Sequence, residues 1–147
     1  MKVNAGTLGG QGIMAGLVTM GTGSGTRAVL APSVGSNRLA VLTIQRALTF
    51  KADSTYSGKL NTMNPSTDQV IAKGVTIESG AQFTFQQLGN SRLSSGTVFT
   101  VINNTSAIPI SGTFANVPDN STFAVGRNNY HVSYQGGDGN DLTLTVQ

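Results

Sequence analysis

The feature that most constrains the fold is a three-residue signature, an apolar residue followed by threonine and a second apolar residue, that recurs along the chain. On a strand, this order puts threonine on the solvent face and both apolar neighbours on the buried face. In the four copies that set the repeat, the threonines are 24, 33 and 67 residues apart, and 67 is close to twice 33. These copies are Val18-Thr19-Met20, Leu42-Thr43-Ile44, Val75-Thr76-Ile77 and Leu142-Thr143-Leu144. A period of about 20 to 50 residues is typical of stacked architectures.

An alignment of the chain with itself extends this repeat. Residues 39–52 align with residues 72–85 at an offset of 33, so that Leu42 matches Val75 and Phe50 matches Phe83. Strand periodicity then predicts a polar row on the outside of the stack. This row consists of Thr43, Gln45, Thr49 and Lys51, stacked on Thr76, Glu78, Gln82 and Thr84.

The fold expected from these patterns is all-β. No segment has a sustained helical period, and glycine- and proline-containing turns separate the short strands. We predict a single domain over residues 1–147, a right-handed parallel β-helix (β-solenoid) of roughly four or five coils. Residues 103–147 are expected to form an irregular coil and cap. A β-sandwich also has short alternating strands, but the in-register repetition favours the solenoid.

Composition narrows the range of functions. Of 147 residues only 10% are charged, against about a quarter in an average protein. The formal charge of +3 comes from basic residues that are scattered rather than clustered, so no nucleic-acid partner is expected. The absence of cysteine excludes disulfides and thiolate chemistry.

The chain contains no candidate segment for membrane insertion. No apolar run approaches the roughly 18 residues of a membrane span. Residues 1–6 lack the apolar stretch of a signal peptide, and residues 6–12 already lie within a glycine-rich pattern. We therefore expect a segment of a larger multidomain parent protein.

Four phrases of the sequence resemble the C-terminal region of autotransporter-associated β-strand repeat proteins, which are parallel β-helix proteins of bacteria. The phrases are residues 68–77, 96–105, 110–114 and 134–144. The resemblance implies a secreted or cell-surface, non-catalytic module. A free-standing piece of this size is also similar to β-helical carbohydrate-binding modules of enzymes that degrade plant cell walls.

The glycine-rich segment 136–144 is the one candidate metal site. It matches a calcium-binding nonapeptide in which Asp138 and Asp141 would supply carboxylate ligands. Such sites are assembled between successive copies, and this chain has one copy. A turn in which glycine supplies positive φ is therefore the preferred interpretation, and no cofactor is expected apart from this calcium candidate.

No enzymatic activity is expected. Hydrolysis of glycosidic bonds requires two carboxylates that flank the substrate, about 5 to 9.5 Å apart. Of the six acidic residues, Asp138 and Asp141 are the only close pair, and Asp53, Asp68, Glu78 and Asp119 are spread over separate turns. The single histidine, His131, has no nucleophile or second metal ligand at a recognisable spacing.

The function predicted from the sequence is binding of an extended polysaccharide, of the plant cell-wall type such as xylan, along the polar row. Amides and hydroxyls would bond sugar hydroxyls, and tyrosine rings would stack on sugar rings. The candidate binding residues are Gln45, Arg46, Lys51, Tyr56, Glu78, Gln82, Arg92 and Tyr130. The alternative is a stalk or end-cap segment of a surface adhesin. Exposed aromatic residues would favour binding, and buried ones would favour the structural role.

Overall fold

The computed structural model describes all 147 residues, and the chain forms strands and turns without any helix. No helical segment that could cross a membrane is found. The strands are β1 (Lys2–Val3), β2 (Gly6–Leu8), β3 (Gly12–Met14), β4 (Val18–Met20), β5 (Ala28–Leu30), β6 (Val41–Ile44), β7 (Leu48–Phe50), β8 (Ser54–Asn61), β9 (Ser66–Thr67), β10 (Gln69–Ala72), β11 (Val75–Ile77), β12 (Gln82–Leu88), β13 (Val98–Asn104), β14 (Thr122–Val125), β15 (Asn128–Gly136) and β16 (Asp141–Val146). Most are short, because turn residues interrupt the alternation of apolar and polar side chains.

The strands form three sheets. Sheet A has the order β1-β4-β7-β11, and sheet B has the order β2-β5-β8-β12, with β9 paired beside β8. Sheet C has the order β3-β6-β10-β13-β16-β15-β14. Up to β13, successive strands enter sheets A, B and C in turn and pair in parallel, except for β9. Beyond β13, sheet C is antiparallel.

The predicted single right-handed parallel β-helix is wrong. The structure has three sheets, parallel and mixed, without a closed solenoid. After β13 the chain crosses residues 105–121 without a strand and returns as the antiparallel group β14, β15 and β16. A tight turn suffices to join antiparallel strands, whereas parallel strands need a long crossover. The glycine-rich turn at residues 137–140 is such a tight connection. The repeat upstream did not predict the antiparallel pairing of the strands on either side of this turn.

The predicted offset of 33 is also wrong. Val75 pairs with Leu48, which lies 27 residues earlier, and Leu42 pairs with Val70 in a different sheet. The in-register copies in sheet A are Val18-Thr19-Met20, Leu48-Thr49-Phe50 and Val75-Thr76-Ile77. The last copy pairs antiparallel, with Leu142 opposite Ile102. Both registers satisfy apolar/polar alternation, so only the lengths of the turns between sheets distinguish them.

The buried apolar side chains form one cluster of 29 residues between the sheets. Residues that pair in register on neighbouring strands place their side chains above one another in this core. In sheet B they form the row of Leu8, Leu30, Tyr56 and Phe83. Phe83 stacks on Tyr56 with ring centroids 5.5 Å apart. Apolar residues in register therefore make a continuous core along the stack.

Residues 110–117 close one end of this core. Ser111 pairs with the outer edge of β11, accepting a hydrogen bond from Ile77 N (2.7 Å) and donating one to Val75 O (3.0 Å). Gly112 has φ +80°, and a Cβ there would clash with Ile77 O. Glycine is required at this close approach, and the turn that it permits places Phe114 in the core, fully buried.

Candidate functional site

The eight predicted ligand-binding residues do not share one face. Gln45 and Arg46 are exposed in the turn between β6 and β7. Gln82 begins β12, where its side chain donates to Gly80 O (3.0 Å). Arg92 lines a separate concavity of about 310 Å³ together with Arg127. Of these residues, Gln45 and Gln82 were predicted to lie in the same polar row, which assumed the wrong register.

Two of the predicted residues lie in the core. Tyr56 and Tyr130 are both fully buried. The ring of Tyr130 lies 5.5 Å from that of Phe123, and Tyr56 lies 6.4 Å from Phe50. Since stacking on a sugar requires an exposed ring face, neither tyrosine is available to a polysaccharide. Because buried aromatic residues were expected for a stalk or end-cap segment, this burial favours the structural role.

Tyr56 and Tyr134 make a matched pair for measuring hydroxyl burial. The Tyr56 hydroxyl has no hydrogen-bond partner, and burial raises the pKa of Tyr56 well above 10. The Tyr134 hydroxyl donates to Val117 O (2.8 Å) and accepts from Phe114 N (3.0 Å). Burial raises the pKa of Tyr134 to about 12.

We expect Tyr56→Phe and Tyr134→Phe to change stability in opposite directions. Removing the unpaired Tyr56 hydroxyl should raise the free energy of unfolding by about 1 kcal/mol, because a desolvated hydroxyl without a partner is unfavourable. Removing the Tyr134 hydroxyl should lower it by about 1 to 3 kcal/mol, because Phe114 N loses its acceptor. Urea unfolding of both variants checks this. A loss of stability in Tyr56→Phe would show that the hydroxyl has a partner after all.

The polar surface of sheet A is built on a row of threonines. Thr19, Thr49 and Thr76 occupy the same position on successive strands, and Lys2 pairs in register with Thr19 at the outer end of the row. At the edge of the sheet, Lys51 Nζ lies 2.6 Å from Glu78 Oε1. A concavity of about 530 Å³ adjoins this row. It is lined by Lys2, Asn4, Thr19, Gly21, Thr22, Thr49 and Lys51, without any apolar side chain.

Asp53 fixes the turn beside this concavity. Its carboxylate accepts hydrogen bonds from Gly23 N (2.7 Å), Gly25 N (2.9 Å) and Thr22 N (3.0 Å). These bonds, the one from Gly23 above all, lower the pKa of Asp53 from 3.8 to about 2. The carboxylate therefore organises the loop that borders the concavity.

This interaction should make stability depend on acidity. Because the pKa of Asp53 is lower in the folded chain than in the unfolded one, its contribution is present above about pH 4 and is lost as the pH falls towards about 2. Asp53→Asn should reduce the acid-induced fall in Tm over that window. Thermal unfolding of both proteins from pH 6 to about 2 measures the difference. Parallel Tm curves would contradict the prediction.

A second concavity carries positive charge. The basic groove, as we call it, has a volume of about 740 Å³ and lies along the turns that lead from sheet C to sheet A. Its lining residues are Ala15, Gly16, Leu17, Arg46, Ala47, Lys73 and Ser106. Arg46 was predicted as a binding residue and Lys73 was missed. Lys73 comes directly after β10, and Arg46 comes in the turn after β6. This shared position after a strand of sheet C is the signal that could have found Lys73.

One of the two predicted calcium ligands, Asp141, has a structural role in the fold. Asp141 is buried and its Oδ1 accepts a hydrogen bond from Asn104 N (2.8 Å), which ties β16 to β13. Burial raises the pKa of Asp141, and the nearby Asp138 carboxylate adds to the effect. No group of three or more acidic, histidine or cysteine side chains is assembled anywhere in the chain. Calcium takes six to eight oxygen ligands, so binding by Asp138 and Asp141 stays a prediction.

Comparisons with protein-family models, with curated proteins and with solved structures find no match to this chain. The resemblance to autotransporter-associated repeats and to carbohydrate-binding modules therefore stays a prediction.

Proposed function

We propose that this chain is a non-catalytic structural end segment of a larger secreted or cell-surface protein. The observation that carries the proposal is the difference between its two ends. At one end all three sheets finish on parallel strands with an open edge, whereas at the other end residues 111 and 116 bond to the edges of sheets A and B and antiparallel strands end the parallel order of sheet C.

The open end consists of β1, β2 and β3, the outermost strands of sheets A, B and C. Val3, Leu8 and Met14 pack against the core but are only partly buried. Beside them Ile13 is 71% exposed and Met1 is 58% exposed. Unpaired strand edges next to apolar side chains favour pairing with further strands.

The covered end protects each sheet in a different way. Ser111 bonds to the edge of β11 in sheet A. In sheet B, the side chain of Asn116 imitates a neighbouring strand on β12, with Oδ1 accepting from Phe83 N (2.8 Å) and Nδ2 donating to Phe83 O (2.6 Å). In sheet C the parallel order ends where β16 pairs with β13. A further set of parallel strands therefore finds the edges of β11 and β12 blocked at these residues and the edge of β13 already taken by β16.

The occupant that fits the open end is another set of parallel strands of the same order. Each existing set, β4 to β6 for example, pairs in register with the sets before and after it. A preceding set would complete the burial of Val3, Leu8 and Met14 in the same way. The acidic residues are consistent with a structural role, since Asp53, Asp68, Asp119, Glu78 and Asp141 all accept hydrogen bonds within the fold.

A duplication tests the proposal. A second copy of residues 15–47 placed ahead of Lys2 supplies strands equivalent to β4, β5 and β6, followed by the turn that normally precedes β7. If the added strands pair with the open edges, a net gain of about 2 kcal/mol should raise Tm by roughly 4 to 8 °C. Amide exchange in β1 to β3 should also slow.

The matched control is the same extension with Leu30→Asp and Ile44→Asp in the added copy only. Both side chains are buried in the native set, so the changed copy cannot bury its inner face. It should leave Tm and exchange as they are in the unextended chain. Equal behaviour of the two extensions would contradict the proposal.

Polysaccharide binding is the second candidate function, and the concavity beside the threonine row favours it. Hydroxyl, amide and ammonium groups line it without any apolar side chain, which suits repeated hydrogen bonds to sugar hydroxyls. Affinity electrophoresis in gels containing xylan or glucans tests it, with Thr49→Val as the variant expected to migrate faster than the native chain. Migration unaffected by either polymer would exclude this candidate.

A further inference from the structure

The basic groove crosses several adjacent rungs of the stack. Lys73 N donates to Arg46 O (3.2 Å), and Val18 N donates to Ala47 O (2.9 Å), so the turns carrying Leu17, Arg46 and Lys73 follow one another. Thr105 N likewise donates to Ala72 O (2.8 Å), which adds the turn that carries Ser106. Since parallel rungs are about 4.8 Å apart, these residues form a row that crosses adjacent rungs.

The two cations of this row have no partners within the chain. The only ion pair in the structure joins Lys51 to Glu78. Arg46 and Lys73 are exposed, and neither side chain donates a hydrogen bond to another residue. No carboxylate lines the groove. Two unpaired cations on successive rungs favour an anionic ligand that carries charge at a regular interval.

We propose that the basic groove binds a linear polysaccharide whose sugars carry carboxylates, that is, a polyuronate. Arg46 presents a planar guanidinium, which pairs with a carboxylate in a bidentate manner, and Lys73 supplies a point charge for the next one. Leu17, 52% exposed, provides an apolar wall for the carbon–hydrogen face of a sugar ring. Ser106 adds a hydroxyl at the far end.

Nucleic acid fits this groove less well. Single strands bind through aromatic side chains on which the bases stack, and the nine aromatic residues of this chain are all buried or half-buried. A duplex requires a wide field of lysine and arginine residues, whereas two line the groove. Carboxylates on an extended sugar chain need neither feature.

The test uses affinity electrophoresis and titration calorimetry of the full chain with sodium polygalacturonate. At low ionic strength the native chain should be retarded, and the methyl-esterified polymer, which lacks the charges, should not retard it. Arg46→Gln and Lys73→Gln should each weaken binding about two- to fivefold, the range for exposed ion pairs, and the double variant about tenfold. Added salt should weaken native binding more than binding by the double variant.

Arg27→Gln is the matched control, because Arg27 is exposed and does not line the basic groove. Its affinity and the Tm of all variants should equal those of the native chain. The proposal is overturned if polygalacturonate does not bind, if the double variant binds equally, or if the methyl ester binds as tightly. It is also overturned in favour of nucleic acid if oligo-deoxythymidylate binds more tightly and shows the same sensitivity to Arg46 and Lys73.

The groove reaches the open end at Leu17, whose carbonyl oxygen accepts a hydrogen bond from the Met1 ammonium (2.6 Å). Polygalacturonate binding is therefore measured on the chain without the added strands. Failure of either experiment leaves the outcome of the other unchanged.

Discussion

Replacing Phe114 by alanine should lower the free energy of unfolding by about 4 kcal/mol, the range observed when a large aromatic side chain is removed from a core. The ring is fully buried and lies 5.1 Å from that of Phe50 and 5.7 Å from that of Phe83. It is the most deeply buried of the three side chains, with Ile110 and Val117, that the strandless segment 105–121 contributes to the core. For a chain of this length, Tm should fall by roughly 10 °C.

Phe123→Ala is the control for this experiment. Phe123 also contacts Phe83, with centroids 6.3 Å apart, but it is only half-buried. Its removal should cost about 1 to 2 kcal/mol. Chemical unfolding of both variants gives the two values. Equal losses would mean that Phe114 is no more important than a peripheral ring, and that the core is closed by another element.

The second large effect is expected at Asp68. Its side chain is fully buried and accepts hydrogen bonds from Ser33 Oγ (2.6 Å), Ala40 N (2.8 Å) and Lys59 N (3.0 Å). Asp68→Ala leaves these donors without an acceptor, so the free energy of unfolding should fall by about 3 kcal/mol. The loop at residues 31–40, which leads from β5 to β6, should lose its anchor.

Two further substitutions separate the contributions at this site. Asp68→Asn keeps one acceptor oxygen and should cost about half as much as alanine. Ser33→Ala removes one donor and leaves the carboxylate bonded to Ala40 and Lys59, so a loss of about 1 kcal/mol is expected. Amide exchange should show reduced protection at both Ala40 and Lys59 in Asp68→Ala, at one of them in Asp68→Asn because they bond to different carboxylate oxygens, and at neither in Ser33→Ala. Unchanged protection at both amides would contradict the anchoring role.

The candidate site was predicted only in part. Arg46 lies in the turn that follows a strand, and turn residues are exposed, so its exposure could be predicted from the sequence. The burial of Tyr56 could not, because a tyrosine on an alternating strand suits either face. Its orientation depends on register, and the assumed offset of 33 paired residues that lie in different sheets. In the observed register Tyr56 occupies the same rung position as Leu30 and Phe83.

Alternation and turn residues act locally, so the amino-acid sequence is enough to predict a chain of short strands with one apolar face. Contacts between distant strands are needed to establish which copies pair, that there are three sheets, and that β16 runs antiparallel to β13. Apolar/polar alternation is satisfied almost equally well in neighbouring strand registers, so it does not select one of them. The register is selected by the turns, such as the one held by Asp53, and these form only when distant strands pair. The same cause applies to function: Arg46 and Lys73 are 27 residues apart in the sequence, and the stacking of successive turns alone brings them together.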